Sequence, residues 1–239
     1  VGTGLAMPAY IEGEQYVATK LATVNPENPS RGRPTVNAQL ALVDAETGEL
    51  TALLAADRLT NARTGCIGGL AARELARDQP DGLTVGVLGA GPQARWQTRA
   101  INIARDIAEV RIFSPSDSRV TCATELREYG IEAQAVETPA IAVSSADVVV
   151  TATTSHEPVF PADALADGAL VIAVGAYTAE MKELAPAVFS RASRVVADVP
   201  EEVATIGDLA ATGLGPEDLI PLSSVLVGDV GRESDSEIL

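Results

Sequence analysis

Residues Leu83 to Ala94 read Leu-Thr-Val-Gly-Val-Leu-Gly-Ala-Gly-Pro-Gln-Ala, a short apolar run that enters Gly-x-Gly-x-x-Ala and leaves into a stretch able to form a helix. A strand that feeds such a turn and then a helix is the setting in which a βαβ unit holds a dinucleotide. Gly89 permits the tight exit from the strand, Gly91 lets the backbone approach a pyrophosphate, and the small Ala94 lets the helix pack closely on the strand. Pro92 and Gln93 complete the turn, and the helix N-terminus faces the anion.

The surrounding text predicts the sheet that such a turn needs. After a helix over 93–107, strands are expected at 109–113, 132–136, 147–151 and 170–174, with helical segments at 120–129, 140–144 and 161–165 between them. Strands alternating with helices predict an α/β fold with a Rossmann-type, doubly wound parallel sheet. A further unit follows at 186–192 and 195–197, and 201–209 reads as helical. Upstream the pattern changes. Stretches 16–24 and 35–43 favour strands, Asp44-Ala-Glu-Thr-Gly48 is a turn, and 50–55 returns as another strand, which makes an antiparallel hairpin. Thr60 stands where an N-cap belongs, ahead of a helix over 62–77 that ends before Pro80 and Gly82. The expected organisation is an α+β substrate and dimerisation domain over 1–79, the nucleotide domain over 80–208, and a return to the first domain over 209–239.

Charge limits the partners. Among 239 residues, 33 acidic and 17 basic side chains give a formal net charge of −16, which argues against nucleic acid or an anionic membrane surface. Lys20 and Lys182 are the only lysines, aromatic residues make up 3%, and the acids are spread along the chain. That pattern resembles proteins adapted to high salt. No apolar run is long enough to span a bilayer and no signal segment opens the chain, so a cytoplasmic location is expected. Cys66 and Cys122 make neither a disulfide framework nor a zinc cluster and are expected as small buried hydrophobes. The ends, Val1 and Ile238-Leu239, look cut, and an apolar hairpin face would need a partner chain to cover it.

Candidate site residues gather at the expected strand ends. The second strand of the nucleotide domain ends in Ser114-Pro-Ser-Asp-Ser-Arg119, with no acid at its tip. Ser114, Ser116 and Arg119 suit a 2′-phosphate, which favours NADP over NAD, although Asp117 stands close by. Thr153, Thr154 and Ser155 follow the fourth strand and suit hydrogen bonds to the cofactor; Val174 and Gly175 follow the fifth, where Gly175 leaves room for a nicotinamide ring. Outside that domain, Arg63 can grip a carboxylate bidentately, with Thr64 beside it, and Lys20, a lone cation in an apolar strand, can donate or accept a proton. His156, the only histidine, sits in a loop and is read as a bystander. No Ser-His-Asp order, metal-ligand cluster or paired carboxylates stand out.

Together these residues resemble the ornithine cyclodeaminase and mu-crystallin family, which includes an archaeal alanine dehydrogenase and ketimine reductases. The resemblance rests on Met7-Pro-Ala-Tyr10, Lys20 with Asn25-Pro-Glu-Asn28, Leu59-Thr-Asn-Ala-Arg-Thr64, Val87 to Ala94, Ala146-Asp-Val-Val, Thr151-Ala-Thr-Thr-Ser155 with Pro158, Val174-Gly-Ala-Tyr177, Glu183-Leu184 and Gly231-Arg232. It implies a substrate and dimerisation domain split around the nucleotide domain, and a homodimer whose subunits share an antiparallel sheet. Lys20 matches the family's active-site lysine and Arg63 its carboxylate-binding arginine. An opening segment of strands, an early substrate-binding arginine and closing helices have no counterpart here. Tyr177 departs from the cyclodeaminases, which place a catalytic aspartate there; neither Tyr nor Thr178 replaces that base readily at neutral pH.

The resemblance implies NAD(P)-dependent reduction of a cyclic imino acid such as pyrroline-2-carboxylate. The alternatives are alanine dehydrogenation, an ornithine cyclodeaminase that recycles NAD+ within each turnover, and a non-catalytic NADP-dependent binding protein. The acidic composition generates a separate expectation, because salt screens the self-repulsion of a highly charged chain. The melting temperature should rise steadily from dilute buffer to molar KCl in a thermal scan; a flat or falling series would contradict the reading.

Overall fold

The computed structural model describes residues 2–239 and divides the chain into two compact units, residues up to Arg63 and Thr64–Leu239. The first unit is an antiparallel meander in the order β1 Thr3–Tyr10, β2 Tyr16–Val24, β3 Val36–Asp44 and β4 Leu50–Ala55. The β3–β4 turn forms because one Asp44 carboxylate oxygen accepts from the Glu46 and Thr47 amides at 3.0 and 2.9 Å, while Gly48 takes φ +74°. β1 carried no strand signal in the sequence, since Gly4 and Pro8 interrupt it; it forms by pairing with β2 from Thr3↔Val24 to Tyr10↔Val17. The meander has only a small core of Ala22, Ala38 and Ala56 with Leu40. Leu5, Met7, Tyr10, Leu21, Leu50, Leu53 and Leu54 are exposed on it.

Helix α1, Asp57–Leu75, starts earlier than the sequence predicts. Ala56 donates its amide to the Ala38 carbonyl at 2.8 Å, and the Asp57 carboxylate accepts from the Ala38 amide at 2.7 Å. The chain therefore leaves β4 straight into the helix, and Thr60 lies within it rather than capping it.

The second unit holds a parallel sheet of β5 Leu83–Leu88, β6 Ile107–Phe113, β7 Ala133–Ala135, β8 Val148–Thr151 and β9 Leu170–Ala173, in the order β7-β6-β5-β8-β9. This is the Rossmann-type α/β arrangement expected from the alternation. α2, Pro92–Ala104, is shorter than predicted because Arg105 is extended and Ile107 already pairs with Leu83. α3 is Ser118–Glu128 and α4 is Pro139–Val143. The stretch read as one helix over 201–209 is two short ones, Pro200–Val203 and Gly207–Ala210, because Ile206 between them is extended, with φ −118° and ψ 152°.

One core cluster gathers Val85, Val87, Val110, Val148, Ile101 and Leu126 with Leu222, Val225 and Leu239. The closing segment therefore packs with the parallel sheet, and the division between units falls at Arg63/Thr64, whereas the Pro- and Gly-containing stretch around Asp78–Gly82 marked 79/80 in the sequence. Arg232 strengthens this packing by donating to the carbonyls of Leu75 and Glu237, each at 2.7 Å. Gly65 and Gly69 of α1 face the α2 backbone; a Cβ on them would lie 2.7 and 2.9 Å from the carbonyl oxygens of Trp96 and Ala100. Cys122 is buried as expected, but Cys66 is exposed, on a different face of α1 from those glycines. Among the described residues, no helix is long and apolar enough to cross a membrane.

At the amino ends of the central strands, the buried Asp147 accepts from Arg77 Nε at 2.6 Å, Gln79 Nε2 at 2.7 Å and the Thr84 amide at 2.7 Å. Removing this carboxylate strands a partly buried guanidinium and a backbone donor. Asp147→Ala should lower the unfolding free energy by about 3–5 kcal/mol in urea titrations at molar KCl, and a loss below about 1 kcal/mol would show the network to be peripheral.

Candidate active site

The sheet order reverses at β5, so the connections that follow β5 and β8 diverge and leave a crevice at the carboxyl ends of these strands. Gly89 lies there at φ +108°, and a Cβ on it would sit 2.4 Å from the Ala152 carbonyl oxygen. Its amide donates to the Phe113 carbonyl at 2.8 Å, which ties the turn to β6. Gly91, by contrast, has an ordinary φ of −85°, and a Cβ there would meet nothing within 4 Å. The space in front of it opens onto the first turn of α2. That turn has no acidic side chain and no side-chain cap, and Pro92 occupies its start. An uncompensated helix N-terminus behind an open backbone cradle fits a pyrophosphate. Ala94 is fully buried, as close packing requires. Arg95, which carried no signal in the sequence, donates to the Ala90 carbonyl at 2.5 Å and pairs with Glu125, so it holds the turn from behind.

At the tip of β6, the Ser118 hydroxyl lies 2.7 Å from Ser116 Oγ and 3.3 Å from Ser114 Oγ. Ser118 thus joins the two serines singled out by the sequence. Arg119 Nη1 donates to the carbonyls of Ser114 and Ser116 at 3.2 and 3.1 Å, and Nη2 pairs with the exposed Glu137 at 3.2 Å. The guanidinium therefore shapes the loop as well as bringing positive charge to it.

The ends of β8 and β9 are joined by a residue whose role the sequence did not reveal. Glu183 is fully buried. One of its oxygens accepts from the Thr153 amide and hydroxyl at 2.6 and 2.7 Å; the other accepts from the Thr151 hydroxyl and the Gly175 amide, both at 2.8 Å. Burial pushes the carboxyl above the usual carboxylate range, and the Thr153, Thr151 and Gly175 donors oppose that shift. Glu183 also corrects the reason given for Gly175. A Cβ at Gly175 would lie 2.3 Å from the Thr153 carbonyl oxygen and 2.5 Å from Glu183 Oε1, so the missing side chain makes room for this carboxylate. Asp208 in turn accepts from the Glu183 and Leu184 amides at 2.7 and 2.9 Å. Glu183-Leu184 was visible only as a family resemblance, and Asp208 gave no signal, because their partners lie far away in sequence.

The loops above these strands are tied together. Val174 donates to the Thr151 carbonyl at 3.0 Å, and the Lys182 amide to the Ser155 carbonyl at 3.0 Å. Ser155 Oγ donates to the Glu157 carbonyl at 2.6 Å, while Thr154 and Tyr177 are exposed. The exposed His156 has its Nδ1 3.1 Å from the Glu180 carbonyl oxygen, a partner the sequence did not predict. Thr64 takes part through its backbone, accepting from Gln97 Nε2 at 3.0 Å.

In the first unit, Lys20 is half-buried between its register neighbours Met7 and Leu40. Burial and the nearby positive charge of Arg63 hold its pKa below the ordinary lysine value of 10.5. Arg63 itself is exposed.

A parallel sheet with a Gly-lined anion cradle at its switch point defines a nucleotide-binding α/β protein. The profile of the ornithine cyclodeaminase/mu-crystallin family matches residues 2–239, and the chain belongs to that family. It is 34% identical to a Delta(1)-pyrroline-2-carboxylate reductase of Bacillus cereus over 245 residues, covering 99% of this chain and 74% of that protein. Among solved structures, it matches the Thermococcus litoralis Delta(1)-pyrroline-2-carboxylate reductase in complex with NADH and L-proline, with TM-score 0.91 and 31% identity over 99% of this chain and 75% of that one. It also matches an archaeal alanine dehydrogenase dimer with bound NAD, with TM-score 0.88 and 33% identity, covering 99% and 74% of the two chains.

The two glycines separate folding from binding. Gly91→Ala should leave the melting temperature nearly unchanged but weaken nucleotide binding by about tenfold or more, since the methyl fills the cradle. Gly89→Ala should destabilise the fold by several kcal/mol through the Ala152 clash and the positive φ. Equal effects of both in paired calorimetry and binding titrations would refute this division of roles.

Proposed function

We propose that this chain is an NAD(P)H-dependent reductase that acts on a cyclic imino acid, pyrroline-2-carboxylate or a ketimine of similar shape. The observation that carries the reading is Lys20, one of two lysines in the chain, kept half-buried beside Arg63 with its proton affinity lowered. A lysine whose hold on its proton is weakened is suited to giving that proton to a substrate nitrogen. The similarity to pyrroline-2-carboxylate reductases over 99% of this chain supports the same chemistry.

Gly89, Gly91, Pro92, Gln93 and Ala94 seat the pyrophosphate on α2. Thr64, Thr153, Thr154, Ser155, Val174 and Gly175 line the remainder of the cofactor subsite, and Ser114, Ser116 and Arg119 favour a 2′-phosphate, hence NADP over NAD. A nicotinamide held there would supply the hydride that the imine carbon gains. Arg63 holds the substrate carboxylate through paired N–H donors. The Lys20 ammonium gives its proton to the imine nitrogen, so that C=N becomes CH–NH with one hydride and one proton gained. The antiparallel unit serves as the substrate and dimerisation part, and a second copy of the chain covers its exposed apolar strands. Tyr177 places no carboxylate at the position the cyclodeaminases use, which sets ornithine cyclisation behind imine reduction.

In molar KCl, purified protein should oxidise NADPH or NADH with pyrroline-2-carboxylate, faster than with pyruvate plus ammonia or with ornithine. Ammonia release from ornithine without net NADH change would instead identify a lyase, and silence toward all three substrates would overturn the reductase reading. Lys20→Ala should lower kcat/KM by about 10²-fold or more, while Arg63→Ala should chiefly raise KM for the imino acid. The pH dependence follows the sign of the lysine shift. The active form is protonated and its pKa is lowered, so kcat/KM should fall with rising pH below 10.5, and Lys20→Ala should lack that limb.

A further inference from the structure

Among the described residues, Glu183 is a buried carboxylate with no cation among its hydrogen-bond partners: the four bonds it receives there come from neutral donors, two hydroxyls and two amides. Two backbone amides, one on each oxygen, can only donate to Glu183, and the two threonine hydroxyls add to them; these four bonds favour the ionised carboxylate against the burial that raises its pKa. Dipoles solvate such a charge without cancelling it, and in a buried setting its field reaches further than it would in water. The charge is also held in place. Asp208 accepts from the amides of Glu183 and Leu184, while the Glu183 carboxylate closes onto the ends of both β8 and β9. Gly175 cannot carry a side chain without striking it. The anion therefore lies directly behind Thr153 and Gly175, two of the residues assigned above to the cofactor subsite.

From this placement we infer that Glu183 is a positioning residue that also acts electrostatically. It fixes Thr153 and Gly175 and sets a negative charge behind these two residues of the proposed cofactor subsite, where it favours the oxidised, cationic cofactor over the reduced, neutral one. The inference rests on the cofactor reading above. An oxidised nicotinamide ring bears a positive charge and a reduced ring bears none. A fixed anion on that side lowers the energy of the oxidised form and so favours departure of the hydride toward an imine. Nothing is consumed in this role, and Glu183 neither touches the substrate nor exchanges a proton with it.

A purely structural role and this electrostatic one predict different binding ratios. Loosened β8 and β9 ends would weaken both cofactor forms alike, whereas loss of the charge would act on one form. In molar KCl, wild type and Glu183→Gln are titrated with NAD+ and NADH, and with NADP+ and NADPH in parallel, following cofactor fluorescence or calorimetry without substrate. Glu183→Gln is expected to weaken the oxidised form about tenfold more than the reduced form. An equal change in both forms overturns the inference and leaves the cofactor reading standing. Failure of wild type to bind any of the four nucleotides overturns the cofactor reading itself. Because Glu183→Gln turns an amide toward the Thr153 and Gly175 donors and risks misfolding, Glu183→Asp is measured alongside it. This variant keeps the charge, so its ratio of oxidised to reduced affinity should stay within about twofold of wild type even where overall affinity falls; a ratio that collapses in Glu183→Asp also overturns the inference.

Discussion

The reversal of strand order at β5 is the constraint on which the second unit depends. β5 runs between β6 and β8, so the connections that leave these strands diverge, and the backbone at their carboxyl ends loses neighbours on one side. Gly89 fills the resulting tight exit from β5 by packing its Cα against Ala152, the residue that follows β8. The same absence of neighbours leaves the space before Gly91 open. One topological fact thus yields a crowded glycine and an uncrowded glycine two residues apart, and the motif needs both.

What was legible in the sequence and what was not divide by the range of the interactions. Apolar runs such as 83–88, 147–151 and 170–174 are local signals of buried strands, and they appear as strands with one-residue adjustments at their ends. Gly89, Gly91 and Ala94 were legible because their roles come from backbone geometry over six residues. β1 was not legible. Its eight residues are exposed along their whole length, so they show no burial pattern, and only the β2 partner makes them a strand. Asp57 was missed for a similar reason: its helix start depends on the Ala38 amide across the hairpin, while Thr60 offered a nearer and more familiar signal.

The site residues follow the same rule. Arg119 was legible as a basic residue beside a strand tip, but its bonds to the carbonyls of Ser114 and Ser116 and its pairing with Glu137 emerge only in three dimensions. Lys20 stood out through scarcity, which is a property of composition; its lowered proton affinity comes from burial in β2 and from Arg63, which no local window contains. Glu183 illustrates the limit most clearly. A lone acid in an acidic chain looks like a surface charge, and its four donors come from Thr151, Thr153 and Gly175 on two other segments.

Glu183 also changes how Gly175 is understood. Small residues at the carboxyl ends of parallel strands suggest room for a ligand, and that reasoning placed a nicotinamide ring beside Gly175. The structure gives that missing side chain a different occupant, since the Thr153 carbonyl and the Glu183 carboxylate fill the position of its Cβ. A larger residue here would therefore act first on the internal carboxylate and only through it on a ligand. The strand ends in this chain are better described as a clamp, in which an anion holds two loops by their own donors and Asp208 holds the anion's backbone. A clamp of that kind fixes the geometry of Thr153 and Gly175 before any ligand arrives, which lowers the ordering cost of binding.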